Sequence, residues 1–360
     1  MTHRNGTRSR ARRSDGVSVI TGGAGFVGTN LAHRLLASGK RVLVYDNLSR
    51  PGVERNLRWL ETTHDGLEVE LGDVRDARSL RRALRHADEI FHLAAQVAVT
   101  TSLERPLHDL DVNVYGTLKL LEELRRLLQP PPLLFTSTNK VYGSLPDLRL
   151  ELRGDRWEPE SPPLRETGLS EDRPLDFSTP YGCSKGAADQ YVLDYAKSFG
   201  LETVVFRMSC IYGPHQHGTE DQGWVAHFLL QALAGRPITL YGNGAQVRDV
   251  LFVGDLVDAM LLAQEHVGEL SGRAFNIGGG PDNTVSLLEL VDLIAALHGE
   301  RPALAFAGER TGDQRYYVSD TTRFADATGW SPRVGVEQGV ESLYRWLSAS
   351  QPPRVPAAAR

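Results

Sequence analysis

The first half of the chain repeats one pattern of hydrophobic and polar positions: a short apolar run, a polar or glycine-rich turn, and then apolar residues at helical spacing. Runs of this length are typical of buried strands, and the spacing that follows them is typical of amphipathic helices. Strands that alternate with helices predict right-handed crossovers and an α/β fold with a doubly wound parallel sheet. The predicted strands are Val17–Ile20, Arg41–Tyr45, Leu67–Leu71, Glu89–Leu93 and Leu133–Phe135.

The rest of the chain departs from this pattern. Residues 106–128 predict one long amphipathic helix, whereas residues 143–179 are rich in proline and charge and predict an irregular insertion loop. We expect residues 16–206 to form mainly the nucleotide-binding domain. Residues 207–347 are expected to form mainly a smaller C-terminal α/β lobe that binds substrate, with segments that return to the first domain. Residues 1–15 predict a disordered basic lead-in, and residues 348–360 predict a disordered tail.

The first predicted strand ends in three glycines spaced as G-x-x-G-x-x-G: Gly22, Gly25 and Gly28. A helical pattern follows at once, and this order of strand, turn and helix brings a pyrophosphate to the free N–H groups of a helix N-terminus. Asp46 ends the second predicted strand, 18 residues after Gly28. A carboxylate there can accept hydrogen bonds from both hydroxyls of an adenosine ribose and would repel the extra phosphate of NADP. The sequence therefore predicts a Rossmann-type site for NAD.

Other predicted strands also end in polar or small residues. In open parallel sheets, ligands bind at the carboxyl ends of the strands. We therefore expect the residues at these ends to line one site; they are Gly22, Asp46, Asp73, Ala94 and Thr138.

Tyr181 and Lys185 stand four residues apart in a predicted helix, so their side chains share one face. An ammonium beside a phenol favours the phenolate and lowers the pKa of the phenol, which makes the phenol a base near neutral pH. The same ammonium can hold a ribose hydroxyl. Thr138 would hydrogen-bond the same substrate hydroxyl as Tyr181 and share its proton. The predicted catalytic residues are therefore Thr138, Tyr181 and Lys185.

Composition narrows the partners of this site. The 40 Lys and Arg against 45 Asp and Glu give a net charge of −5, so no nucleic-acid partner is expected. No apolar run has the length of a membrane span, and no membrane partner is expected. Cys183 and Cys210 form no disulfide framework, which favours a reducing, cytoplasmic compartment. His215 and His217 lack further ligands at suitable spacing, so no metal is expected.

Together these residues resemble the extended short-chain dehydrogenases/reductases that epimerise or dehydrate nucleotide sugars. The resemblance extends from Val17 to about Leu347. Residues 21–28 are similar to the family's T-G-x-x-G-F-x-G. Residues 207–214 are similar to its R-x-x-N-x-Y-G-P, except that Cys210 replaces the asparagine that contacts the substrate diphosphate in the family. The resemblance implies NAD as cofactor and a nucleotide-diphosphate sugar as substrate.

The resemblance also implies roles for individual residues. Asn113 would orient the active-site lysine, Arg248 would bind a phosphate, and Arg310 with Asp313 would hold the nucleotide end of the substrate. The residues expected to bind the cofactor are Gly22, Gly25, Phe26, Val27, Gly28, Asp46, Asn47, Ser49, Arg50, Asp73, Val74, Leu93, Ala94, Ala95, Gln96, Asn113, Tyr181, Lys185 and Met208. Those expected to bind the substrate are Thr100, Thr138, Asn139, Cys210, Trp224, Gln246, Arg248, Arg310 and Asp313.

A few positions distinguish among members of the family. Dehydratases carry Asp-Glu directly after the threonine, whereas this chain has Asn139 and Lys140, which disfavours dehydration. Longer stretches, such as residues 137–143 and 180–191, are similar to the subgroup that inverts carbon 2 of a CDP-deoxyhexose, of the CDP-paratose/CDP-tyvelose type. Inversion at carbon 4 of a UDP- or TDP-sugar stays open, and so does a non-catalytic NAD-binding regulator on the same fold. The resemblance further implies a homodimer or homotetramer, in which the helix bearing Tyr181 pairs with the helix after the fourth strand.

Overall fold

A computed structural model describes residues 16–350 of the chain. The predicted lead-in, residues 1–15, and residues 351–360 of the predicted tail lie outside this range. The prediction of a disordered tail is wrong for residues 348–350, because they complete the last helix, Val336–Ser350. The hydroxyls of Ser348 and Ser350 donate to backbone carbonyls four residues earlier, within that helix.

Seven parallel strands form the central sheet. They are β1 (Val17–Thr21), β2 (Arg41–Asp46), β3 (Leu67–Leu71), β4 (Ala87–His92), β5 (Leu133–Thr138), β8 (Thr203–Met208) and β12 (Arg273–Ile277). Their spatial order is β12-β8-β5-β4-β1-β2-β3. Every residue of β1 is buried, which suits the apolar Val17, Val19 and Ile20; the polar Ser18 and Thr21 hydrogen-bond to side chains of β4. The predicted doubly wound parallel sheet is confirmed.

Helices cover both faces of this sheet. One face is covered by α1 (Phe26–Ala37), α2 (Val53–Thr63), α10 (Val253–Glu265), α11 (Val267–Leu270) and α13 (Thr322–Thr328), and the other by α3 (Ala77–Ala83), α6 (Gly116–Arg125) and α8 (Thr179–Phe199). The helices α4 (Val99–Glu104) and α5 (Pro106–Leu110) pack against α8. Two neighbours on β1 show the division, since Val19 lies in one hydrophobic cluster and Ile20 in the other.

The predicted long helix over residues 106–128 is interrupted. It consists of α5, one π-helical turn at Asp111–Tyr115, and α6, which ends at Arg125. The extra residue in a π-helical turn shifts the face on which the following side chains lie. Asn113 lies within this turn and is buried, so the interruption decides where its amide is directed.

The C-terminal lobe has its own core. Its strands are β9 (Cys210–Tyr212), β10 (Ile238–Tyr241), β11 (Val247–Phe252), β13 (Thr284–Ser286), β14 (Leu304–Ala307) and β15 (Tyr316–Tyr317), and its helices are α9 (Trp224–Leu233), α12 (Leu287–His298) and α14 (Val336–Ser350). The three helices bury their apolar faces in one cluster with β10 and β11. Ser286 begins α12 with a capping box, in which its hydroxyl accepts from the Glu289 N–H and the Glu289 carboxylate accepts from the Ser286 N–H.

The insertion at residues 143–179 is ordered, so the prediction of an irregular loop is wrong. It contains a hairpin of β6 (Leu150–Arg153) and β7 (Arg156–Pro159), followed by α7 (Pro162–Thr167). The hairpin packs against the C-terminal lobe, where the Trp157 N–H donates to the Ala245 carbonyl at 2.8 Å. Its strands show no clear alternation because much of their contact is polar; Arg156, for example, pairs with Glu289 at 3.1 Å.

Candidate active site

The carboxyl ends of neighbouring strands form one edge of the sheet. Because β5, β4, β1, β2 and β3 are adjacent and parallel, the residues that end or follow them lie along this edge. The sequence-predicted set is therefore brought to one side of the sheet; it comprises Gly22, Asp46, Asp73, Ala94 and Thr138.

The glycine turn connects β1 to α1 with little space to spare. Gly22 has a φ of +72°, and a Cβ atom there would lie 2.7 Å from the Ala94 nitrogen. A Cβ on Gly28 would lie 2.4 Å from the Gly22 carbonyl oxygen, so this glycine is required for close packing. A Cβ on Gly25 would meet a single atom within 4 Å, the Gly22 oxygen at 3.1 Å. Gly25 precedes α1 without a side-chain cap, which leaves the helix N-terminus open to an anion.

Asp46 is positioned by backbone donors. Its carboxylate accepts from the Ala24 N–H at 3.0 Å and the Leu48 N–H at 2.8 Å. Burial raises the pKa of Asp46, and these hydrogen bonds together with the charge of Arg50 oppose that rise. Each carboxylate oxygen keeps a second lone pair, so Asp46 can still accept from ribose hydroxyls.

A second carboxylate, that of Asp73, lies where the adenine of the cofactor is predicted to bind. Asp73 accepts from the Arg75 side chain at 2.7 Å and from the Asn47 amide at 3.0 Å. The Arg75 hydrogen bonds hold the pKa of Asp73 well below its usual range, so the group is ionised. Val74, which follows, is buried and packs in the hydrophobic cluster below.

Thr138 and Tyr181 form the pair that the sequence predicts. The Tyr181 side chain is buried, and its phenol lies close enough to the Thr138 hydroxyl for that hydroxyl to lower its pKa. Burial raises the pKa of Tyr181 to about 12, while the Thr138 hydrogen bond and the Arg50 charge act in the opposite direction. The Tyr181 N–H donates to the Ser102 hydroxyl at 3.1 Å, which fixes the start of α8 against α4.

Lys185 differs from expectation. Its ammonium does not lower the pKa of Tyr181; it donates to the Thr136 carbonyl at 2.5 Å and lies 4.3 Å from the centre of the Phe135 ring. Burial lowers the pKa of Lys185 to about 7, against the influence of Asp189 and Asp109. Spacing placed both side chains on one face of α8, but strand β5 takes the lysine's hydrogen bond. The cation that does lower the Tyr181 pKa is Arg50.

Asn113 is the centre of a buried hydrogen-bond network. Its amide nitrogen lies 3.0 Å from the Gln96 carbonyl and 3.0 Å from the Ser184 hydroxyl, and its oxygen accepts from the Gln96 N–H at 2.9 Å. Asp109 accepts from the Gln96 side chain at 2.7 Å. Asp109 and Ser184 were not among the residues predicted from the sequence. The spacing of four residues between Asp109 and Asn113, which places both on one face of a helix, could have indicated Asp109.

The predicted substrate residues fall into two groups. Arg248 and Asp313 pair at 2.6 Å, and Trp224 donates to the Cys210 sulfur at 3.4 Å. The Asp313 N–H donates to the Arg310 carbonyl at 3.1 Å, but the Arg310 guanidinium lies elsewhere: it stacks 3.7 Å from the Tyr241 ring centre and donates to the Glu220 carbonyl.

The remaining predicted residues have these surroundings. Gln246 donates to the Tyr241 carbonyl at 2.5 Å, Asn139 receives the Thr138 hydroxyl at 3.4 Å, and the Ser49 N–H donates to the Asn47 side chain at 3.1 Å. The others lie in the glycine turn's helix (Phe26, Val27), after β4 (Leu93, Ala94, Ala95), on α4 (Thr100) and at the end of β8 (Met208).

Within residues 16–350, no set of three or more His, Cys, Asp and Glu side chains is arranged to hold a metal ion. No helix in the same range combines the length and the apolar character needed to cross a membrane.

Comparison with known proteins agrees with this geometry. Residues 18–278 match the NAD dependent epimerase/dehydratase family. The chain is 43% identical over 338 residues to CDP-paratose 2-epimerase from Salmonella typhi, covering 92% of this chain and 99% of that protein. It is 34% identical over 324 residues to UDP-glucose 4-epimerase from Mycolicibacterium smegmatis, covering 90% and 96%. UDP-glucose 4-epimerase from Thermus thermophilus in complex with NAD has the same fold, with a TM-score of 0.78, 31% identity, and coverage of 93% of this chain and all of that one.

The resemblance inferred from the sequence is thereby confirmed, and NAD is the cofactor. The open N-terminus of α1 beside Gly25 and the carboxylate of Asp46 fit the pyrophosphate and ribose of that group. The family match spans more than half of the chain, and the Salmonella typhi and Mycolicibacterium smegmatis relatives align along nearly their whole length. The chain belongs to the NAD dependent epimerase/dehydratase family.

Proposed function

We propose that this protein is a nucleotide-sugar epimerase that inverts carbon 2 of a CDP-deoxyhexose, of the CDP-paratose/CDP-tyvelose type. The proposal rests on Thr138 and Tyr181, whose neighbouring side chains offer a hydroxyl and a phenol to one sugar hydroxyl. The 43% identity to the Salmonella typhi CDP-paratose 2-epimerase supports the choice of substrate. Asn139 and Lys140 after the threonine supply no carboxylic acid, which argues against loss of water from the sugar.

When bound, NAD⁺ would supply the acceptor and then the donor of a hydride at the carbon to be inverted, so the overall reaction would involve no net redox change. Tyr181, as the phenolate, takes the proton of the hydroxyl on that carbon as the C–H bond breaks, and returns it when the hydroxyl re-forms. Burial opposes the phenolate, whereas the charge of Arg50 and the positive nicotinamide of NAD⁺ would favour it. Thr138 holds the phenol and the sugar hydroxyl in line. Lys185, held by the Thr136 carbonyl, would bind the cofactor's nicotinamide ribose.

The remaining residues position the two ligands. The turn at Gly22, Gly25 and Gly28 would hold the pyrophosphate, and Asp46 the adenosine ribose. Asn113 orients the strand end after β4 through its two hydrogen bonds with Gln96. The predicted substrate residues on the lobe side would hold the nucleotide diphosphate; among them, Arg248 lies 2.6 Å from Asp313.

The test is turnover of CDP-, UDP-, TDP- and GDP-sugars in deuterated water, followed by NMR of the sugar protons. Inversion at carbon 2 of a CDP-deoxyhexose is the expected result. Inversion at carbon 4 without change at carbon 2 would support the alternative, a carbon-4 epimerase of a UDP- or TDP-sugar, which the similarity to the Mycolicibacterium smegmatis enzyme favours. NAD binding with no turnover of any sugar would favour a non-catalytic regulator.

We also propose that the protein is a homodimer or homotetramer in the cytoplasm. Exposed apolar side chains on α4, α5 and α8 and in the π-helical turn before α6 support the assembly; they are Leu103, Leu107, Leu110, Tyr115, Tyr191 and Phe199. Burial of such a patch against a second copy removes apolar surface from water. The exposed free thiol of Cys183, which the sequence does not place in a disulfide, suits a reducing compartment. Light scattering tests the oligomeric state, and cell fractionation tests the cytoplasmic location.

A further inference from the structure

Lys140 brings a second cation to the substrate side of Thr138. It lies in a 3-10 turn, Asn139–Tyr142, and its N–H donates to the Thr138 hydroxyl oxygen at 3.3 Å. Its ammonium donates to the Gly312 carbonyl at 3.0 Å and lies 3.8 Å from an Asp313 carboxylate oxygen. The backbone of Lys140 is thus fixed by the threonine of the reaction site, while its side chain extends to the loop expected to hold the nucleotide.

The charges around Lys140 do not balance. The same Asp313 oxygen also accepts from Arg248 at 2.6 Å, so one carboxylate serves two cations. The side chains of Lys140 and Arg248 are only 19% and 8% exposed, and that of Asp313 is 32% exposed. Burial lowers the pKa of Lys140 to about 8, with Asp313 raising it and Arg248 lowering it. An anion that enters here would restore neutrality where little water is present to do so.

We propose that Lys140 binds the diphosphate of the substrate together with Arg248. This inference rests on the proposed function, because the diphosphate is that of the nucleotide sugar. A diphosphate suits the two cations, since arginine offers a planar pair of donors and lysine a point charge. A neutral sugar hydroxyl or carbonyl would leave the excess positive charge in place. Cys210 offers no competing charge, because burial raises its pKa and its sulfur accepts from Trp224.

The experiment measures binding of CDP and UDP to the NAD-loaded protein by calorimetry, using whichever nucleotide the wild type binds more tightly. Lys140→Gln keeps a donor for the Gly312 carbonyl but removes the charge, Lys140→Met removes both, and Lys140→Arg keeps the charge. The matched control is Lys197→Met, which removes an exposed lysine in the last turn of α8. A lost charge-assisted hydrogen bond predicts affinity about 10- to 100-fold weaker for the Gln and Met variants. The Arg variant should stay within about threefold, and the control should match wild type.

Two further readouts separate charge from structure. Binding of the nucleoside without phosphates, cytidine or uridine, should be the same in wild type and Lys140→Gln. Wild-type affinity for the diphosphate should fall between pH 7 and 9.5 as Lys140 loses its proton, whereas Lys140→Arg should show a flat profile. The titratable groups facing Lys140 do not produce this fall, because the pKa of Asp313 is lowered and the pKa of Cys210 is raised; arginine side chains in general do not lose their proton in this range.

Three outcomes would overturn the inference. Unchanged diphosphate affinity in Lys140→Gln with a lower kcat would assign the ammonium to the sugar. Equal losses for diphosphate and nucleoside, with a lower melting temperature, would make Lys140 a structural support for the Gly312 loop. Wild type that binds neither diphosphate would also contradict the inference. Failure of the proposed function is a separate result, absence of epimerisation by the wild type, because these measurements need no turnover.

Discussion

Alanine at Gly25 and alanine at Gly28 should have opposite effects, although both lie in the same turn. At Gly28 the added Cβ would lie 2.4 Å from the Gly22 oxygen and 2.6 Å from the Gly23 Cα, both backbone atoms that no rotamer change can move. At Gly25 the single close atom is 3.1 Å away, and the φ of −68° is ordinary for alanine. The first change therefore disturbs packing, and the second fills the space in front of the helix N-terminus.

The magnitudes follow from these contacts. Overpacking against rigid neighbours costs about 1–3 kcal/mol, which is the expected loss of unfolding free energy for Gly28→Ala. For Gly25→Ala, the weaker N-cap costs about 0.5–1 kcal/mol. The reduced entropy of the unfolded chain returns about 0.4–1 kcal/mol, so the two nearly cancel. NAD affinity should nevertheless fall at least about tenfold in Gly25→Ala, because a phosphate can no longer approach the N–H groups of α1.

Urea unfolding without cofactor measures the free energy of unfolding, and a fluorescence titration with NADH measures the cofactor affinity. Gly25→Ala should unfold like wild type and bind poorly. Gly28→Ala should unfold earlier, and added NADH should restore part of its stability in proportion to the remaining affinity. The reasoning is refuted if Gly25→Ala binds NADH as wild type does, or if the two variants lose equal stability.

Three more substitutions test the site and its support. Tyr181→Phe should retain NAD and lose at least about 100-fold in turnover, because the proton acceptor is gone; near-normal rates in the sugar NMR assay would place the base elsewhere. Asp46→Ala should weaken NADH binding about tenfold and reduce the preference over NADPH; equal affinity in a titration would contradict the ribose assignment. Asp189→Ala removes the partner of Arg207, a buried pair joined at 2.9 and 3.0 Å. It should cost about 3–5 kcal/mol in urea unfolding, and a cost below about 1 kcal/mol would mean that the guanidinium finds another acceptor.

The inner strands of the central sheet could be predicted from sequence because they are buried on both faces. A parallel strand with helices on both sides is rich in apolar residues, as Val17, Val19 and Ile20 show, whereas the largely exposed edge strand Leu67–Leu71 shows alternation instead. The insertion could not be predicted in this way. Its hairpin is held by partners far along the chain, Trp157 by Ala245 and Arg156 by Glu289, so no local period reports it. The π-helical turn at Asp111–Tyr115 is hidden for a related reason, since it changes direction without changing the apolar spacing.

The site shows a similar boundary between what spacing predicts and what it does not. Spacing correctly placed Tyr181 and Lys185 on one face of α8, yet a shared face leaves the hydrogen-bond partner undecided. Lys185 contacts the Thr136 carbonyl, and Arg50, from the loop after β2, is the cation that lowers the Tyr181 pKa. Lys140 is a second example, because in the sequence it indicated only that the acidic residue of the dehydratases is absent. Folding brings the Lys140 ammonium within 3.8 Å of Asp313, which also pairs with Arg248. The resulting excess of positive charge is the basis for the proposal that Lys140 binds an anionic part of the substrate. Residue types thus identify the cofactor and the reaction, whereas the substrate contacts depend on charges that meet through the fold.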